Sequence, residues 1–139
     1  IVTIKPSWQV KEIETSSDLG GSWNIKLHSL SAGGPHSLTV TSNKESLIIN
    51  DIFMGEVWLA AGQSNMEMDF DYCCNTTDSS SYEIMNANYP DIRMFNVKKK
   101  YSSEPEVTLE GRWVKAIHDS IINFSAVSYY FAKRLNKEI

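Results

Sequence analysis

Apolar and polar positions alternate in short runs over the first part of the chain, and then the alternation stops. "WNIKLHSL" (23–30), "HSLTVTS" (36–42) and "ESLIINDIF" (45–53) are alternating or β-branched runs, the pattern of half-buried strands. Turn formers stand between them: Ser16-Ser17-Asp18, Gly20-Gly21, Gly33-Gly34-Pro35 and Ser42-Asn43-Lys44. Strands punctuated this closely predict an antiparallel β-sandwich, jelly-roll-like, over residues 1–54.

From Gly55 the texture is different. "EVWLAA" (56–61) has no polar position after Glu56, as expected of a strand buried on both faces. Residues 65–90 are polar, with a helical piece predicted near Tyr82–Ala87. "IRMFNV" (92–97) is a second strand candidate, and "VTLEGRWVKA" (107–116) reads as a loop or short strand around Trp113. In "NFSAVSYYFAKRLNKEI" (123–139), Phe124, Val127, Phe131 and Leu135 recur at helical spacing while Lys133, Arg134, Lys137 and Glu138 face away. Asn123 or Ser125 caps that helix. Strand, turn, helix, strand, helix over residues 55–139 is the start of an α/β layered domain.

Composition narrows the function. Of the 139 residues 42% are apolar and 11% aromatic, enough to build a core. The net charge is −4 and the one basic run is Lys98-Lys99-Lys100, which argues against nucleic acid as a partner. No apolar stretch approaches the ~20 residues that span a bilayer. The opening "IVTIKPSWQV" has no leader pattern, so any export signal would have been removed already or left out of this sequence. Cys73 and Cys74 are the two cysteines. Neighbours make a strained disulfide, so free thiols or a partner on another chain are expected. Asn75-Thr76-Thr77 and Asn123-Phe124-Ser125 are possible glycosylation sites that fit a secretory route.

The chemistry concentrates at Gly62-Gln63-Ser64-Asn65-Met66. A serine at the carboxyl edge of a sheet, on a turn into a helix, stands where open α/β sheets bind ligands. The first amides of that helix are free to stabilise an oxyanion. Ser64 is the candidate nucleophile, with Gly62, Gln63, Ser64 and Asn65 forming the nucleophile turn and oxyanion hole. The alternative is an ordinary strand cap. The motif is not the G-x-S-x-G elbow, since Asn65-Met66 follows the serine. Among the histidines, His28 and His36 belong to the β-module. His118-Asp119 sits in a loop before the last helix, where adjacent residues rarely face one another. Asp69 and Asp71 read as surface charge rather than a glycosidase dyad, and Glu67 as an acid near a helix start. Trp8, Trp23, Trp58 and Trp113 read as core in preference to sugar platforms. The Tyr129-Tyr130-Phe131 stripe reads as packing.

"GEVWLAAGQSNMEM" (55–68) resembles the first block of the sialate O-acetylesterase family, serine carbohydrate esterases of the SGNH-hydrolase type. "AGGPHSLTV" (32–40), "PDIRMFNV" (90–97), Trp113 and "FSAVSYYFAKRL" (124–135) follow in that family's order. The resemblance implies that Ser64 attacks the acetyl ester of an O-acetylated sialic acid or other acetylated sugar, through an acetyl-enzyme, without metal or cofactor. It implies a flavodoxin-like SGNH domain begun at residue 55 and incomplete here. The Asp-x-x-His pair that supplies the base is expected from a downstream segment or a second polypeptide. An acetylxylan-type esterase and a non-catalytic sugar-binding or structural protein remain the alternatives. Family members work outside the cytoplasm, which predicts a periplasmic, secreted or lysosomal location with no membrane partner.

Overall fold

The computed structural model describes residues 1–43, 45–74 and 78–139. The Asn75 sequon lies outside the described residues, as do the side chains of Cys73 and Cys74. Two compact units form, Ile1–Trp58 and Leu59–Ile139.

The first unit is a four-stranded antiparallel sheet. Its strands are β1 (Val2–Pro6), β2 (Ile13–Thr15), β3 (Gly33–Ser42) and β4 (Glu45–Met54), in the order β2-β1-β3-β4. Alternation along β1 buries Val2, Ile4 and Pro6 on one face and leaves Lys5 exposed. β3 and β4 form a hairpin in which Ser42 faces Glu45, with Asn43 at a φ of 55°, a conformation asparagine adopts more readily than most residues. Antiparallel pairing follows the sequence expectation. A second facing layer is not formed by the described residues of this unit.

Two expectations for this unit are corrected. Gly33-Gly34-Pro35 is not a turn between strands but the opening of β3. A Cβ on Gly34 would stand 2.9 Å from both the Ile52 carbonyl oxygen and the Phe53 ring, so only glycine lets the two strands approach there. The ladder is irregular on both sides of His36. The run 23–30 is not a strand; two of its carbonyls accept from side chains instead of from a ladder, the Trp8 indole N–H donating to His28 O at 2.9 Å and the Thr15 hydroxyl to Asn24 O at 3.2 Å.

The second unit carries α1 (Ser64–Glu67), α2 (Phe70–Cys74), α3 (Asp78–Asn86), β5 (Asn88–Phe95), β6 (Trp113–Ile117), a 3-10 turn (His118–Ile121) and α4 (Ala126–Glu138). β5 and β6 pair antiparallel. Phe70, Ile92, Met94, Ile121 and Tyr129 are the large members of its core. Fully burying each such side chain contributes roughly 1.5–3 kcal/mol. The Phe70 and Tyr129 rings meet edge to face at 5.3 Å between centroids.

Here too the sequence reading is corrected in part. Residues 56–61 carry no regular structure: Val57 is 86% and Leu59 91% exposed. A strand buried on both faces needs neighbours to pair with, and among the described residues none pairs with this segment. Helix α4 forms as expected with Ser125 as its cap, the Ser125 hydroxyl accepting from Ser128 N–H. Its buried face, however, is centred on Ala126 and Tyr129, while Val127 and Phe131 stay about half exposed. Nor are the tryptophans core: Trp23, Trp58 and Trp113 are each at least two-fifths exposed. Trp8 is half-buried and packs edge-on against His36.

Tyr129 turns inward because its hydroxyl has a partner there. It donates to Glu83 Oε1 at 2.6 Å, and Lys133 Nζ donates to the same oxygen at 2.5 Å. The ammonium also stands over the Tyr89 and Tyr130 rings. Burial alone pushes the Glu83 carboxyl up. The hydrogen bonds from Lys133 and Tyr129, with the charges of Lys133 and Lys137, outweigh it and hold the pKa below its ordinary 4.5. Burial and the Glu83 carboxylate together push the Tyr129 phenol far up. A carboxyl with a depressed folded pKa stabilises the fold above its unfolded pKa and loses that contribution as pH falls through the folded one. Glu83→Gln is therefore expected to cost about 1.5–3 kcal/mol at neutral pH, measured by denaturant unfolding. The deficit relative to the parent protein should shrink to nothing as the medium is acidified through the carboxylate range.

Candidate active site

The turn at residues 62–68 is built by a helix too short to hold itself. Gln63 O accepts from Met66 N–H at 2.9 Å and Glu67 N–H at 3.0 Å, and Ser64 O accepts from Met68 N–H at 3.0 Å. That is one turn, ended at Met68, and a helix nucleus of this size is unfavourable alone. Ser64 and Asn65 lie at its start, exposed, with their amides ahead of the first intrahelical bond. Gln63 occupies the cap position without a side-chain bond.

What holds the turn lies about sixty residues away. Ala126 N–H donates to Met68 O at 2.9 Å, Phe70 N–H donates to Ile122 O at 3.0 Å, and Asp69 bridges Ser125. The Met66 side chain reaches the first turn of α4, its sulfur accepting from Ser125 Oγ at 3.5 Å and Ser128 Oγ at 3.1 Å. On the near side Gly62 is pressed against Met66, since a Cβ at Gly62 would stand 2.8 Å from Met66 Cβ. Glu67, the last residue of α1, pairs with Lys99.

The remaining sequence candidates fall as follows. Asp69 Oδ1 accepts from Tyr72 N–H at 2.9 Å, which caps α2 and gives this carboxylate a structural role. His118 Nδ1 lies 3.3 Å from Met85 O, and its amide donates to Ala87 O at 2.8 Å. Its ring is thus engaged at the end of α3, and among the described residues no histidine bonds to Ser64. Lys98 and Lys100 pair with Glu110 and Glu106, each at 2.8 Å, so with the Lys99–Glu67 pair every lysine of the basic run meets a carboxylate. Asn123 is exposed, and its carbonyl accepts from the Asn96 amide at 3.0 Å. An open cavity of about 490 Å³ lies beside it, lined by Arg112, Asp119 and Phe124 among others. Among the described residues no three His, Cys, Asp or Glu side chains gather in a metal-holding group. Sequence reasoning missed Met66 and Ser128. Ser125 appeared there only as a cap. No local pattern signals a contact between side chains so far apart in the chain.

No protein-family model matches the chain. The sialate O-acetylesterase of Rattus norvegicus is 27% identical over 138 residues, covering 91% of this chain and 25% of that protein. Those of Mus musculus and Homo sapiens are 28% and 27% identical, with the same coverage. A solved structure of a carbohydrate acetylesterase from Xanthomonas citri superposes with a TM-score of 0.88 at 31% identity, covering 99% of this chain and 31% of that one. The chain is thus a mixed α/β chain similar to a carbohydrate acetylesterase and to the sialate O-acetylesterases, and it spans about a quarter of the length of the curated relatives it matches.

The close approach at Gly62 has a direct consequence. Gly62→Ala must displace Met66 and is expected to cost about 1–3 kcal/mol, as overpacking does. Denaturant unfolding measures it, and an unchanged midpoint would contradict the approach.

Proposed function

We propose that this chain carries the nucleophile of a serine carbohydrate O-acetylesterase acting on O-acetylated sialic acids, 9-O-acetyl groups first among them. One observation carries the reading: Ser64 stands exposed at the first position of α1, on a turn fixed from outside by α4. The relatives' names support the acetyl-sugar class, and an alignment over nine-tenths of the chain includes Ser64 wherever it is placed.

In this reading Ser64 Oγ attacks the acetyl carbonyl and its proton passes to a general base. The carbonyl oxygen takes the negative charge, stabilised by amides at the turn of Gly62, Gln63, Ser64 and Asn65. Collapse of the tetrahedral adduct breaks the ester C–O bond. The sugar leaves as an alcohol, reprotonated by the base, and acetyl stays on Ser64 until water hydrolyses it. The resemblance to the esterase family implies that the base is an Asp-x-x-His pair on a further segment or a second polypeptide, while the His118 ring lies against Met85 O. Residues 1–54 are then a β-sandwich module and residues 55–139 the first part of a flavodoxin-like SGNH domain. Export from the cytoplasm belongs to the same reading, with Asn123 and Asn75 as glycan acceptors. Among the described residues no helix is long and apolar enough to cross a membrane.

The test is Ser64→Ala in the full-length protein. Acetate release from 9-O-acetylated sialic acid is expected to fall on the order of 10⁴–10⁶-fold in kcat, with the fold retained by circular dichroism. Unchanged release would remove Ser64 from the chemistry. Release from acetylated xylan but not from sialic acid would move the substrate to the acetylxylan class. No release from either by the parent protein would favour a sugar-binding protein without catalysis.

A further inference from the structure

We propose that Met66 is a positioning residue for Ser64, bolting helix α1 to the first turn of α4 through the hydroxyls of Ser125 and Ser128. This rests on the esterase reading of Ser64 and adds to it the part of the molecule that sets the nucleophile's place.

Helix α1 contributes four residues and no buried side chain, so neither its own hydrogen bonds nor a core face fixes its direction. Only Met66 and Met68 of the segment 62–68 are even half-buried. Met68 is tied through its backbone, by the Ala126 amide. Met66 is tied through its side chain. Ser128 is 8% exposed, and a hydroxyl that buried needs an acceptor. The Met66 sulfur is that acceptor at 3.1 Å, with Ser125 Oγ also donating to it at 3.5 Å. A thioether is a weak acceptor, so what the contact supplies is chiefly direction. From the other side, the absent side chain of Gly62 leaves the space that the Met66 Cβ fills. Met66 is held between a glycine and two hydroxyls, and Ser64 lies two residues before it on the same turn. Movement of Met66 moves Ser64.

The alternative is plain packing, in which Met66 fills space and any loss of activity follows loss of fold. Met66→Ala and Ser128→Ala in the full-length protein separate the two, with Ser64→Ala alongside and Val127→Ala as a control on the exposed face of α4. Three readings are taken: amide hydrogen exchange, fluorophosphonate labelling of Ser64, and steady-state acetate release. For Met66→Ala and Ser128→Ala, exchange of the peptide spanning 63–68 is expected to rise about tenfold while peptides from β5 and β6 hold their rates. Labelling and kcat are expected to fall about 10–100-fold with KM within about twofold, the mark of a misplaced nucleophile. Val127→Ala is expected to match the parent protein. Unchanged exchange at 63–68 in both variants would overturn the proposal. So would exchange that rises equally across β5 and β6, since Met66 would then be packing alone. If Ser64→Ala keeps full activity, the esterase reading falls by itself. The exchange data still decide whether Met66 holds the turn.

Discussion

The backbone clasp between residues 68–70 and 122–126 is the constraint on which the second unit's site depends. Met68 O and Phe70 N–H are bonded to Ala126 and Ile122, and between them Asp69 bridges Ser125. One side of the clasp carries the exposed serine turn. The other leads directly into α4 through its Ser125 cap. Phe70, the last residue of the clasp on that side, is fully buried against Tyr129. An apolar anchor, two backbone bonds and a cap thus converge on a few residues. A one-turn helix that would melt in isolation acquires a fixed place.

Charge is distributed so that the same unit stays neutral where it is buried and paired where it is exposed. Glu83 takes its two donors from one face of α4, Tyr129 and Lys133, tying α3 to that helix. The lysines at 98–100 each meet a glutamate, pairs that at their exposure contribute little to stability. Their effect is to cancel a basic patch, with Lys99 of the 96–112 connection lying against Glu67 at the end of α1.

Much of this was legible in the sequence, and the failures share a cause. Hairpin β3–β4, strand β5 and helix α4 follow from local alternation and periodicity, and Ser125 is a cap by chemistry alone. On α4 the reading of Tyr129 as packing holds, its hydroxyl being satisfied by Glu83, whereas Val127 and Phe131 of the helical stripe stay about half exposed. Residues 56–61 read as a central strand by composition. Strand formation, however, is a property of pairing, and no described strand pairs with them. The run 23–30 likewise joins no ladder, and two of its carbonyls accept from Trp8 and Thr15 instead. At the candidate site the serine turn was visible as a motif, with its glycine and amides. Its support was not, because Met66 meets Ser125 and Ser128 across about sixty residues of sequence. The site's chemistry is local, but its geometry is not.

The central claim is that Ser64 carries the acetyl group during turnover. The full-length protein, mixed with 9-O-acetylated sialic acid and acid-quenched during turnover, is digested and its peptides weighed. The account predicts an acetyl increment on the peptide containing Ser64, removed by hydroxylamine and absent in Ser64→Ala. Acetate released while that peptide stays unmodified, with the acetyl found on another residue, would contradict it.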